Sequence, residues 1–118
     1  MLSPSGKYLW ASTRLRVNAT GPGPSYISCF LLDDNGLIVK RMFTVPTSVD
    51  PGAALAVTPA FWGEEFAAVS YYPGGDVEIL KLEGLKETAD GAEYETARAV
   101  AKLNVKDAGC CANMIWYS

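Results

Sequence analysis

The sequence contains no histidine. That absence removes Ser-His-Asp and Cys-His catalysis from the chain, since both rely on an imidazole to move a proton near neutral pH. A general acid or base would have to be a carboxylate, lysine, tyrosine or cysteine with a perturbed pKa. Cysteine is scarce as well: of three, Cys110 and Cys111 are adjacent and Cys29 lies in an apolar run. An odd count without a CxxC pair reads as free thiols. Zinc draws its ligands from Cys, His and carboxylates, so no metal site is expected. No basic stretch exists, with ten Lys and Arg against thirteen Asp and Glu and a net charge of −3. A nucleic-acid partner therefore has no electrostatic support. No apolar run approaches the ~20 residues that span a bilayer, and no membrane partner is expected. The stretch from Met1 to Lys7 lacks the charged start and apolar run of a secretory leader, which makes a cytoplasmic location the expectation. The acceptor pattern Asn18-Ala19-Thr20 carries little weight in that setting.

What is present is an ordinary folding composition. The chain has 118 residues, 49% of them hydrophobic, with eleven glycines and seven prolines spread along it. This suits one small domain. Short apolar runs alternate with turn signals. Ser3-Pro4-Ser5-Gly6 is turn chemistry ahead of a strand over Lys7–Ser12. After a loop containing Gly21-Pro22-Gly23-Pro24, a second strand is predicted over Tyr26–Leu32. Asp33-Asp34-Asn35-Gly36 is the strongest hairpin signal in the chain, and Leu37–Val45 is the returning strand. Together these form a three-stranded antiparallel meander.

The same order then recurs. Ala53–Thr58 reads as a strand, with a turn from Pro59 to Glu65. Phe66–Tyr72 and Asp76–Leu82 are strands joined by Pro73-Gly74-Gly75. In the latter, Val77, Ile79 and Leu80 alternate imperfectly with Glu78 and Lys81. Pro4 corresponds to Pro59 and Asn35-Gly36 to Asp90-Gly91 at the same offset, a spacing near the ~40–50 residues of a propeller blade. The stretch Glu83–Val105 is ambiguous. Propensity favours a helix over Ala92–Lys102, while the repeat requires a strand near Ala97–Val105, and the strand is the reading adopted. Cys110–Tyr117 reads as a terminal strand.

Ser3-Pro4-Ser5-Gly6-Lys7-Tyr8-Leu9-Trp10-Ala11-Ser12-Thr13-Arg14 resembles a repeat signature of the lactonase-type seven-bladed propellers. That superfamily includes the 6-phosphogluconolactonases and the fungal-type carboxy-cis,cis-muconate cyclases. Tyr26–Asp33 resembles the strand that follows in those proteins. Asp107-Ala108-Gly109-Cys110-Cys111-Ala112-Asn113-Met114-Ile115-Trp116-Tyr117 looks like the closing strand of the muconate cyclases in particular. The resemblance implies an all-β fold, a partial β-propeller of about two antiparallel blades plus a closing strand. The units would be 3–46, 53–105 and 110–117. Seven blades need roughly 300 residues, so the chain is expected to be a C-terminal fragment, inactive by itself.

The same resemblance implies a cofactor-independent cycloisomerase acting on 3-carboxy-cis,cis-muconate, a tricarboxylate. Such a substrate calls for cationic, bidentate donors. Arg14, at the end of the motif, is the candidate for binding a substrate carboxylate. The competing reading is a solvated arginine at a strand end, and Arg16 is the neighbouring alternative. Arg41 and Arg98 read as strand-face charges. The general acid is unassigned: Glu64 and Glu65 are expected to face solvent in a turn, and Asp33 and Asp34 suit a hairpin end. Cys110 and Cys111 read as small buried residues, and Asn113 as a hydrogen-bonding group near the channel. Trp10, Trp62 and Trp116 are expected to pack between blades. Two other functions compete: a fragment of a 6-phosphogluconolactonase-like lactone hydrolase, and a non-catalytic propeller-derived module. Uncovered blade faces would favour self-association.

Overall fold

The computed structural model describes residues 1–13, 25–47, 53–72 and 75–104. Its first turn is built as its residue types dictate. The Ser3 carbonyl accepts the Gly6 N–H at 2.9 Å, and Ser3 Oγ accepts the Tyr8 N–H at 3.1 Å. Gly6 sits at φ 74°, a left-handed conformation that glycine adopts without steric cost. The chain then enters β1 (Tyr8–Ser12), followed by β2 (Tyr26–Leu32) and β3 (Ile38–Pro46). These pair antiparallel in the order β1-β2-β3. The turn between β2 and β3 is an Asx turn: Asp33 Oδ1 accepts the N–H groups of Asn35 and Leu37, each at 2.9 Å.

The second sheet comprises β4 (Ala53–Pro59), β5 (Phe66–Tyr72), β6 (Asp76–Glu83) and β9 (Thr96–Asn104), with a two-stranded hairpin, β7 (Lys86–Thr88) and β8 (Gly91–Glu93), between its last two strands. The order is β4-β5-β6-β9, and every pairing is antiparallel. No helix occurs among the described residues. The strand alternative therefore prevails over helix in the ambiguous stretch. β9 pairs along its whole length with β6, from Asp76↔Asn104 to Glu83↔Thr96, and that ladder outweighs the helix propensity of an Ala-rich segment.

The two sheets pack face to face. The first contributes Tyr8, Trp10, Ile27, Cys29, Leu31 and Phe43, and the second Val57, Ala67, Val69, Tyr71, Leu80 and Leu82. Period-two alternation puts these residues on one face of each sheet. Trp10 meets Phe43 edge to face, with centroids 6.0 Å apart.

The β7–β8 hairpin, which turns at Ala89 and Asp90, has no counterpart among the strands predicted from the sequence. It grows from the second sheet and grips the first. The Tyr8 hydroxyl donates to the Ala92 carbonyl at 2.8 Å, and Tyr94 packs edge to face on Tyr8 with centroids 5.9 Å apart. The Tyr94 N–H points at Met42 Sδ at 3.5 Å, and Lys40 pairs with Glu93. A separate tie joins the two turns that precede β1 and β5, where Glu64 accepts the Ser5 N–H and Oγ–H, each at 2.9 Å.

Three expectations need correction. Trp62 is 55% exposed, stacked edge to face on an equally exposed Phe61, so it does not pack between the sheets as Trp10 does. Glu64 is half-buried and engaged with Ser5, whereas Glu65 alone of the pair is exposed. In β6 the face toward the core carries Glu78, Leu80 and Leu82, while Val77 and Ile79 lie on the other face. The predicted closing strand over Cys110–Tyr117 lies outside the described residues.

Candidate functional site

Two features of this frame offer themselves for chemistry. The first is an open groove of about 490 Å³ where β1 meets β4. Leu9, Ala11 and Ser12 of β1 and Ala56 and Val57 of β4 line it. Met1 and Trp10 border it too, and the Met1 ammonium, which donates to the Trp10 carbonyl at 2.8 Å, places one positive charge beside an otherwise uncharged lining. β1 leads directly toward the candidate arginine: Arg14 follows Ser12 by two residues. Arg14 itself lies outside the described residues, as do Arg16, Cys110, Cys111, Asn113 and Trp116.

Charge is distributed unevenly along the strand axis. The end where β1 begins holds Asp33 and Asp34 in the β2–β3 turn and Glu64 and Glu65 in the β4–β5 turn, with Glu87, Asp90, Glu93 and Glu95 around the small hairpin. At the end where β1 finishes, Asp76 is the one acidic residue at a strand terminus among the described residues. Among the described residues, the end where β1 finishes is thus the one less repulsive to an anion.

The second feature is a small cavity of about 70 Å³ between the sheets, bordered by Ile27, Val45 and Thr47 from the first and Tyr71, Glu78 and Leu80 from the second. Glu78 is 2% exposed and Tyr71 1%. The Tyr71 hydroxyl donates to Glu78 Oε2 at 2.8 Å. Burial, and then the hydrogen bond to Glu78, push the Tyr71 phenol well above its ordinary range, so it stays protonated and serves as a fixed donor. The alternation in the sequence sets Val77, Ile79 and Leu80 against Glu78 and Lys81, which does not single out this pair. The signal was there: Glu78, Leu80 and Leu82 stand two apart, and Glu78 pairs across the ladder with Val69, two residues from Tyr71.

Other titratable groups among the described residues are held by burial or pairing. Burial pushes the Cys29 thiol up to about 12, which suppresses the thiolate needed for reactivity. Burial, with Tyr94 and Glu64 nearby, lifts Tyr8 to about 12. Glu93 is held below the ordinary carboxylate value by its hydrogen bond from Lys40. Arg98 pairs with Glu83 through two contacts of 2.9 Å, and Arg41 is exposed at its pairing position opposite Phe30, as expected for strand-face charges. Among the described residues no group of three His, Cys, Asp or Glu side chains is placed to hold a metal ion. No helix among them is long and apolar enough to cross a membrane.

No protein-family model matches the chain. Its sequence is similar to that of the carboxy-cis,cis-muconate cyclase of Neurospora crassa, with 32% identity over 117 residues. The match covers 98% of this chain and 28% of the cyclase. The chain is therefore related, along almost its entire length, to a portion of a muconate cyclase.

Proposed function

We propose that this chain forms part of a cofactor-independent cycloisomerase that closes 3-carboxy-cis,cis-muconate to a carboxymuconolactone, and that its two sheets are neighbouring blades of a seven-bladed propeller. The observation that carries this reading is the similarity to the Neurospora cyclase over 98% of the chain. The repeated antiparallel units packed face to face support the architecture. In the reaction, an oxygen of one substrate carboxylate forms a C–O bond to a carbon of its own conjugated diene. The π pair of the broken C=C shifts onto the neighbouring carbon and its conjugated carboxylate, and a proton from a protein acid is added to that carbon. Arg14 is assigned to hold a substrate carboxylate and to stabilise the charge developing there. The groove beside β1, uncharged apart from the Met1 ammonium at its border, suits the hydrocarbon part of such a substrate.

The chain spans 28% of its relative's length, so the test is made both on this chain and on a longer polypeptide that carries it. Loss of the diene absorbance of 3-carboxy-cis,cis-muconate, with the lactone identified by NMR, is the expected result in the longer form. Arg14→Gln should lower kcat/KM by ~10²–10³-fold, and Arg14→Lys should recover only part of it, because an ammonium does not reproduce a bidentate fork. Turnover of a sugar lactone without cyclisation would reassign the protein to the lactone hydrolases. A fully active Arg14→Gln variant would remove Arg14 from the site.

We also propose that the chain self-associates through uncovered sheet faces. The far side of β6 and β9 presents Val77, Ile79 and Leu103, the last 63% exposed. Sedimentation of the isolated chain should show species larger than a monomer, and Leu103→Lys should shift them toward the monomer.

A further inference from the structure

The two sheets repeat one another in their strand pairing. Between β1 and β2, Tyr8 stands opposite Leu31, Trp10 opposite Cys29 and Ser12 opposite Ile27. Between β5 and β6 the counterparts are Phe66 opposite Lys81, Ala68 opposite Ile79 and Ser70 opposite Val77. The turns agree as well. The Lys7 carbonyl accepts the Leu32 N–H at 2.8 Å, as the Glu65 carbonyl accepts the Leu82 N–H at 2.7 Å. Even an irregularity is shared: the register shifts between Cys29 and Phe30 against β3, and between Ile79 and Leu80 against β9. β1, β2 and β3 thus correspond to β5, β6 and β9.

The repeat fixes which faces are alike. The first sheet covers the second with Trp10, Ile27, Cys29 and Phe43. Their counterparts are Ala68, Val77, Ile79 and Ala101, which period-two alternation sets on the far face of the second sheet. The last three border a shallow hollow there together with Leu103. The second sheet in turn meets the first with Ala67, Val69, Leu80 and Leu82. Their counterparts are Leu9, Ala11, Phe30 and Leu32, on the far face of the first sheet. Each sheet therefore carries one face of each kind, and within the chain unlike faces meet. The two far faces are again an unlike pair.

Both far faces have open apolar surface. On the second sheet Leu103 is 63% exposed and Val77 and Ile79 are half-buried, while Ala68 is already covered, so the open part lies on β6 and β9. On the first sheet Ala11 is exposed, and Leu9 and Phe30 are half-buried. Two cations border these surfaces. Lys81, the counterpart of Leu31, lies over the Phe66 ring at 5.8 Å, and Arg41 is exposed opposite Phe30. Such long side chains can lay their stems on apolar surface while the charge stays in water.

We propose that a second copy of this chain docks on the far face of β6 and β9 with the far face of its own β1 and β2, so that the contact between copies repeats the contact between sheets within one copy. The inference rests on the self-association proposed above and gives it a polarity. Two different surfaces meet in this contact, which makes it heterologous. Every assembly that has not closed into a ring keeps one free face of each kind at its ends, and growth continues past two copies. A two-fold dimer would instead bury the same patch of both partners.

The test blocks one face at a time. Leu103→Lys alters the far face of the second sheet and Ala11→Lys that of the first. Both positions are exposed, so far-UV circular dichroism should match the parent; Leu9→Lys repeats the second change at another point of the same face. In sedimentation velocity the parent should form species larger than a dimer. Each variant alone should sediment as a monomer, because each lacks one of the two surfaces required. Mixed, Leu103→Lys and Ala11→Lys should recover a species of two copies and nothing larger, since their intact faces can meet once. Association of Ala11→Lys and Leu9→Lys like the parent, or a mixture that stays monomeric, overturns the proposal. A parent that is exclusively dimeric overturns the polarity alone, whereas a parent monomeric at every concentration overturns self-association itself. None of these readouts involves turnover, so the cyclase reading stands or falls separately.

Discussion

The two sheets build their shared interface from different materials. The first presents Tyr8, Trp10 and Phe43 over Ile27, Cys29 and Leu31. The second answers with Val57, Ala67 and Val69, and near one end replaces hydrocarbon with Tyr71 and Glu78. Most of the aromatic surface of the cluster comes from the first sheet and most of its aliphatic surface from the second. The consequence is unequal sensitivity. Stability should depend most on a few aromatic residues of the first sheet, and more diffusely on the residues of the second.

The sharpest way to break this comparison is Trp10→Ala. Trp10 is 1% exposed and central to the cluster, so a loss of ~3–5 kcal/mol is expected by chemical denaturation. Val69→Ala, on the opposing sheet, should cost only ~1–2 kcal/mol, on the scale of two deleted methyl groups. Equal losses would show that the asymmetry has no energetic meaning. Tyr71→Phe tests the polar end of the second sheet. It removes a donor to a buried carboxylate, and ~1.5–3 kcal/mol should go with it. A neutral outcome would mean that other donors already satisfy Glu78.

Smaller effects should follow from the ties across the sheets. Glu64→Ala cuts both hydrogen bonds to Ser5, and being exposed these should amount to ~1 kcal/mol together. The Tyr8 phenol, pushed from 10 to about 12, keeps its proton in the folded state where the unfolded chain releases it. Its contribution is therefore complete below pH 10 and is lost as the pH climbs toward 12. Tyr8→Phe should flatten that alkaline decline in a pH series of Tm values. The smallest effect is at Lys40, whose pairing lowers the Glu93 pKa. That contribution is present above the ordinary Glu value of 4.5 and fades as the pH falls below it. Lys40→Met should remove this acid dependence, lowering stability slightly at neutral pH and leaving it unchanged well below pH 4.5.

These residues also mark how far the sequence could be read. The spans of β2 and β5 followed directly from apolar runs bounded by turn residues, while β3 shifted by one residue at both ends and β6 ran one residue further. The β2–β3 turn was legible because Asp33 and Gly36 each carry a local backbone preference. The β7–β8 hairpin was not, because its strands are three residues each and are held by contacts to Tyr8 and Lys40, far away in sequence. Glu78 was misplaced because a charged residue in a strand is normally turned outward. Only the facing sheet, with Tyr71 beside it, makes the inward position tolerable. Arg14 rests on motif resemblance alone, and the groove beside β1 needed β4 to be placed against that strand.

The clasp formed by the small hairpin has a kinetic consequence. Its strands are adjacent in sequence, but the Tyr8–Ala92 bond they complete closes a separation of 84 residues. Closing so long a loop is entropically slow compared with forming a local hairpin. The second sheet and its hairpin are thus placed to form first, and the first sheet is fastened afterwards. Substitutions at Tyr8, Met42 or Tyr94 should then leave the folding rate nearly unaltered and accelerate unfolding, as contacts made after the transition state do.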